Sequence, residues 1–305
     1  MAAWIEIALQ VDGEGAEAVA EVLRQYAYQG IVIEQGNTGE AWEEEVGPPP
    51  GPLTVRGYLP ADSRAQESQR RVEEAIYYLR RIYPKIPAPS FQRVEEQDWA
   101  EAWKRGYHPI RVGKRFLIKP AWIDVEPEPG QIVIEMDPGM AFGTGTHPTT
   151  QLCLQACERF ARPGITMLDL GTGSGILAIG AARLGCEDIL ARDTDEVAVR
   201  SARENVRRNG VSDRVTVEQG SLEDLVEASR QFDLCVANLT ARIITRLAGQ
   251  GIERLVKVGG TFVFSGLIDE QADDVVETLR GIGLHPLDRR HLDDWVMLAT
   301  QRGAG

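Results

Sequence analysis

The first third of the chain switches between two hydrophobic periods. Trp4-Ile5-Glu6-Ile7-Ala8-Leu9 reads as a strand, Val19, Val22, Leu23 and Tyr26 recur at helical spacing, and Ile31-Val32-Ile33 is a second strand. Residues 35–52, with Glu43-Glu44-Glu45 and Pro48-Pro49-Pro50, read as a solvated loop. Leu53–Leu59 is a third strand, Val72, Ile76, Leu79 and Tyr83 line a second helix, and Phe91–Val94 forms a fourth strand. The order βαββαβ predicts a ferredoxin-like α+β domain over residues 1–95.

Residues 97–106 predict a short helix, with Asp98 near its start, Gly106 past its end and Trp99 and Trp103 one turn apart. The stretch 96–115 therefore reads as a helical linker. Phe116–Pro120 and Ile132–Glu135 then form a β-rich entry to a domain spanning 116–305. From residue 165 strands and helices alternate. Strands are expected at 166–170, 189–193, 215–218, 232–237 and 261–265, helices at about 174–184, 195–209, 241–256 and 270–282, and a last hairpin at 285–287 and 295–300. That alternation predicts a parallel sheet with helices on both faces.

Charge and cysteine content narrow the setting. The formal charge of −13 argues against tight non-specific nucleic-acid binding, which needs a cationic face, and suits a basic protein partner. Residues 1–95 alone hold 15 acidic and 9 basic residues and no RNP-like aromatic motif, so protein binding is favoured over RNA binding there. Cys153, Cys157, Cys186 and Cys235 form no CxxC pair and read as reduced, buried residues of a cytoplasmic protein. No apolar run is long enough to span a membrane, the N-terminus does not read as a signal peptide, and no metal site is indicated. A monomer is expected.

The chemistry gathers in the second domain. Met167-Leu168-Asp169-Leu170-Gly171-Thr172-Gly173-Ser174-Gly175 places a glycine turn between a strand and a helix, where Gly171 and Gly173 permit close backbone approach to a ligand. A tight structural turn explains a lone GxG equally well. The spacing here is Gly-x-Gly-x-Gly, and Asp169 stands two residues ahead. A carboxylate there adds nothing to pyrophosphate binding but is compatible with the sulfonium and ammonium charges of S-adenosylmethionine. Asp193 follows Gly171 by 22 residues, at the end of the next strand, where a ribose-binding acid belongs. Helix capping is the alternative, for which Asp195 is equally placed. Arg192 beside it could accept a 2′-phosphate. Asn238 closes the fourth strand of the alternation, where its amide could accept from an amine or a ribose, or cap a helix. Asp137–Thr150 is a Gly- and Thr-rich loop able to close over a ligand; Thr149 or Thr150 could cap the helix that follows, and His147 could act as a base.

Together the segments 99–112, 137–150, 169–177, 193–195 and 237–239 resemble one family, the ribosomal protein L11 methyltransferases (PrmA). The Phe142-Gly-Thr-Gly-Thr-His-Pro-Thr-Thr150 run carries the resemblance more specifically than any glycine motif. It implies a class I, seven-stranded S-adenosylmethionine-dependent methyltransferase domain, behind a ferredoxin-like domain that holds the substrate. It further implies methylation of lysine ε-amines and of the N-terminal α-amine of that large-subunit ribosomal protein. The family's cofactor contacts fall on Thr150, Gly171, Asp193 and Asn238, and Asn238 is also placed to orient the amine. Two departures stand out: Arg192 replaces a small or aliphatic residue, and the loop at 35–52 differs from shorter members. A methyltransferase of another protein, a nucleic acid or a small molecule is the rival reading, and a non-catalytic nucleotide-binding module the other.

Overall fold

The computed structural model describes residues 3–24, 26–27, 31–35, 53–95, 108–136 and 145–304. The helix expected at 97–106 and residues 137–144 of the Gly/Thr loop lie outside them. The chain divides into two compact units, residues 1–107 and 108–305.

The first unit contains β1 (Ala3–Val11), α1 (Gly13–Arg24), β2 (Ile31–Gln35), β3 (Leu53–Pro60), α2 (Ala65–Ile82) and β4 (Ser90–Glu95). Its sheet has the order β2-β3-β1-β4 with antiparallel neighbours throughout, the ferredoxin-like arrangement. Alternation sets one face. Ile5, Ile7 and Leu9 of β1 and Val55 and Leu59 of β3 pack with Val19 and Leu23 of α1 and Val72 and Ile76 of α2. On β1 the intervening Glu6 accepts hydrogen bonds from Arg56 at 2.6 Å and from the Tyr58 hydroxyl at 3.0 Å.

The second unit opens with β5 (Ile110–Val112), β6 (Phe116–Pro120) and β7 (Ile132–Met136), a three-stranded sheet in chain order. Because β5 pairs with β6, this unit begins ahead of residue 116. Next come α3 (Pro148–Phe160), β8 (Met167–Leu170), α4 (Ile176–Arg183), β9 (Ile189–Asp193), α5 (Glu196–Arg208), β10 (Val215–Gln219), α6 (Leu222–Glu227), β11 (Phe232–Asn238), α7 (Ala241–Ala248), a 3-10 turn at Ile252–Leu255, β12 (Val256–Ile268), α8 (Asp269–Gly281), β13 (Leu284–Leu292) and β14 (Trp295–Arg302). The seven-stranded sheet runs β10-β9-β8-β11-β12-β14-β13. Pairs from β10 to β12 are parallel, and β14 runs antiparallel to both its neighbours.

Short buried runs make both faces apolar, as a sheet covered on two sides requires. Met167 packs with α3, α4 and α5, whereas Leu168 and Leu170 pack with α6, α7 and α8 on the other side. In β12 the stacked rings of Phe262 and Phe264, 4.3 Å between centroids, are fully buried. Chain order reverses direction between β8 and β11: one half of the sheet grows from β8 through β9 to β10, the other from β11 outward. The crevice beyond the carboxyl ends of β8 and β11 is the switch point at which open α/β sheets bind ligands.

Candidate functional site

Each flanking strand delivers one element to that crevice. β8 ends in the glycine turn. The backbone N–H groups of Gly171 and Thr172 donate to the Arg192 carbonyl at 2.8 and 3.0 Å, which straps the turn to the end of β9. Gly171 has φ +75°, and a Cβ on it would lie 2.7 Å from Leu239 Cδ2. Only glycine satisfies that torsion and that spacing together.

Asp193 closes β9. Its Oδ2 accepts from the Gly173 N–H at 2.9 Å and its Oδ1 from the Asp195 N–H at 3.0 Å. The cap of α5 is Asp195, which accepts from Val197 N–H at 2.9 Å, so Asp193 is not the helix cap. One carboxylate thus pins the turn to the end of β9 and the start of α5. From β11, Asn238 brings its Nδ2 to 3.5 Å from Thr150 Oγ1, where Thr150 is buried in the first turn of α3. The cap of α7 is Thr240, so capping does not account for Asn238. Thr150, Gly171, Gly173, Asp193 and Asn238, 88 residues apart at the extremes, converge on the crevice.

Three side chains weighed in the sequence take structural roles. His147, not a threonine, caps α3: its Nδ1 accepts from Thr149 N–H at 3.3 Å and lies 2.7 Å from Thr149 Oγ1, while its ring packs edge-on to Trp295 at 4.8 Å. Its Nδ1 is thereby given to capping. Arg192 is also committed. Its two amino groups donate to Glu218 at 2.9 Å and Asp224 at 2.6 Å, so its fork is not available to a 2′-phosphate. Asp169 is fully buried beneath the turn and does not face the crevice as a counter-ion. Its Oδ2 accepts from Thr172 Oγ1 at 2.7 Å and Ala178 N–H at 3.2 Å, tying the turn to α4, and its Oδ1 has no partner among the described residues. The sequence marks Leu239 only within the segment 237–239 and Trp295 only as the start of the last hairpin strand; their contacts with the turn and with His147 emerge only in the fold.

Burial pushes the Asp169 carboxyl up from 3.8 to about 7, against the opposing hydrogen bonds from Thr172 and Ala178. A carboxyl protonated more readily in the folded state favours folding below its unfolded value, and that advantage is lost as pH rises from about 4 to 7. Asp169→Asn keeps an acceptor for Thr172 and removes the titration. Its stability relative to wild type is expected to be greater at pH 8 than at pH 5, by on the order of 1–2 kcal/mol in urea denaturation. A difference independent of pH would show that Asp169 does not titrate in this range.

The cradle fits S-adenosylmethionine. The turn leaves no room for a Cβ at Gly171, Asp193 can accept from a ribose diol, and the nearby cation Arg192 is neutralised, which disfavours a pyrophosphate. Taking the strands in chain order from β8, the sheet order is 3-2-1-4-5-7-6 with the seventh reversed. With a glycine turn after the first strand and an acid after the second, it defines a Rossmann-like S-adenosylmethionine-dependent methyltransferase.

Comparison with known proteins makes this specific. The sequence profile described as ribosomal protein L11 methyltransferase (PrmA) matches residues 3–303. A ribosomal protein L11 methyltransferase of Chloroflexus aurantiacus is 41% identical over 328 aligned positions, covering 98% of both chains. One of Pelotomaculum thermopropionicum is 42% identical, again over 98% of each. The crystal structure of a ribosomal protein L11 methylase from Lactobacillus delbrueckii subsp. bulgaricus matches with 34% identity and a TM-score of 0.59, covering 65% of this chain and all of that one. The chain belongs to the ribosomal protein L11 methyltransferase family. It is an S-adenosylmethionine-dependent enzyme that methylates a protein.

Proposed function

We propose that the chain methylates ribosomal protein L11 on lysine ε-amines and on the N-terminal α-amine, with residues 1–95 as the substrate-recognition domain and Thr150, Gly171, Gly173, Asp193 and Asn238 holding the donor. Relatives of that name aligned over nearly the whole chain support the substrate. The single observation that carries the site is the convergence of the glycine turn, the Asp193 carboxylate and the Thr150–Asn238 pair at the switch point. A protein acting on a ribosomal component works in the cytoplasm. Among the described residues no helix is long and apolar enough to cross a membrane.

Bound S-adenosylmethionine supplies a methyl group on a positively charged sulfur, already a good leaving group. The chain's part is to bind, orient and dehydrate. A lysine amine has a pKa near 10.4 and attacks only as the free base, so its entry into the crevice must favour loss of a proton. Desolvation does this, because it disfavours the ammonium form. Asn238 Nδ2 points toward Thr150, which leaves Oδ1 to accept an N–H of the incoming amine and aim its lone pair. The released proton passes to water: His147 is occupied by Thr149, and Asp169 is sealed below the turn.

Asn238→Ala is expected to lower kcat about tenfold, a positioning effect on the amine, beside a smaller rise of about threefold in donor Kd for the lost donor contact. Calorimetry with S-adenosylmethionine beside single-turnover assays on purified L11 checks it, and an equal rise in donor Kd would assign Asn238 to the donor alone. Labelled-donor assays against separated ribosomal proteins and ribosomal RNA, followed by mass spectrometry of the modified amines, test the substrate. Label entering RNA or another protein in place of L11 would overturn the reading.

A further inference from the structure

Arg192 sits where the glycine turn meets the end of β9, at the edge of the donor crevice. Arg192 precedes Asp193 at the end of β9 and is buried, its side chain 9% exposed, although it carries a full charge. Its backbone carbonyl takes the N–H groups of Gly171 and Thr172, so its main chain holds the glycine turn. Its side chain reaches the opposite way. One amino group donates to Glu218 on β10 and the other to Asp224 in the first turn of α6, while Nε has no partner among the described residues. Asp224 Oδ2 also accepts from the Ser221 backbone N–H at 2.9 Å, and the Gly220 N–H donates to the Asp193 carbonyl at 2.9 Å. Gln219 Nε2 completes the tie on the Thr194 carbonyl at 3.1 Å. The segment 219–224 is thereby fastened to the strand end that carries Asp193.

We propose that Arg192 is a positioning residue for the methyl donor: its guanidinium sets segment 219–224 as the rim of the crevice beside Asp193, and so governs affinity for the nucleoside half of the donor. This rests on the assignment of the donor to the crevice made above. Two physical points support it. A buried guanidinium held by two carboxylates is strongly directional, because leaving either partner would leave part of its buried charge uncompensated. Gly220 also fits Arg192 like a matched part. A Cβ at Gly220 would lie 2.1 Å from Arg192 Nη2, and that atom cannot swing aside without leaving Asp224. The pair predicts a dependence that an independent loop would not show: a side chain at position 220 is tolerated only where position 192 is short.

The test is a set of donor-binding isotherms on the full-length protein. With Arg192→Met, Kd for S-adenosylmethionine and for S-adenosylhomocysteine, which share the nucleoside, is expected to rise together by about tenfold, while KM for L11 stays within about twofold. Arg192→Lys, a point charge able to reach one carboxylate, is expected to recover part of the loss. Asp224→Asn changes an exposed partner without touching the buried residue, and should move Kd in the same direction by a smaller factor even if Arg192→Met folds poorly. Gly220→Ala should weaken donor binding in the wild-type background and cost less in an Arg192→Ala background. Unchanged Kd in Arg192→Met and Asp224→Asn, or strict additivity of the 192 and 220 changes, overturns the proposal. Asp193→Ala, measured in parallel, separates the two assignments. If it weakens the donor and the Arg192 variants do not, only the role of Arg192 fails. If none of them moves Kd, the crevice is not the donor site.

Discussion

Replacing Gly171 with valine is expected to cut L11 methylation roughly a thousandfold, an effect of about 4 kcal/mol. Two costs produce it. The residue holds φ +75°, which a β-branched side chain adopts only under strain of about 1–3 kcal/mol. A Cβ there also lies 2.7 Å from Leu239 Cδ2, so Leu239 must repack at a further cost of about 1–3 kcal/mol. The protein can relieve both by letting the turn move, and the donor then loses its seat. The deficit should therefore appear in calorimetry as loss of S-adenosylmethionine binding, with the far-ultraviolet circular dichroism of the sheet retained. Normal donor affinity in the variant would show that the turn is structural and binds nothing.

Asp193→Ala is expected to raise donor Kd about a hundredfold, near 2.7 kcal/mol. Hydrogen bonds to a charged acceptor contribute about 1.5–3 kcal/mol each, and Asp193 serves both the Gly173 N–H and, in our assignment, the ribose diol. Asp193→Asn keeps an acceptor for Gly173 and should lose only about tenfold. The two variants thus separate the carboxylate's charge from its shape. Equal affinities for wild type and both variants, measured with S-adenosylhomocysteine, would remove Asp193 from the site.

Local chemistry made much of this legible in the sequence. The glycine turn, the acid 22 residues on and the strand-ending Asn238 announce themselves because each sits where a strand gives way to a loop. The alternating strands and helices follow from short apolar runs between breakers. What escaped is non-local. The helix expected to run to residue 256 stops at Ala248, because Gly249-Gln250-Gly251 interrupts it and β12 starts at Val256 to pair with β11 and β14. The short α6 was not foreseen. It is begun by Ser221 and Asp224, and the partner that fixes Asp224 is Arg192, 32 residues away. A base remains one option for His147 in the sequence because nothing in its own segment reveals that Trp295, from the last strand, packs on its ring. The charge of Asp169 is legible, its burial is not.

β14 ties the crevice to the far edge of the sheet. Residues 295–302 lie between β12 and β13, so β13 pairs with the sheet only through them. Trp295 of this strand also braces the residue that starts α3, the helix carrying Thr150. The donor seat is therefore set only once this long-range pairing has formed. In refolding, S-adenosylmethionine binding should return after the far-ultraviolet circular dichroism of the sheet, and simultaneous return would show that the strand plays no such part.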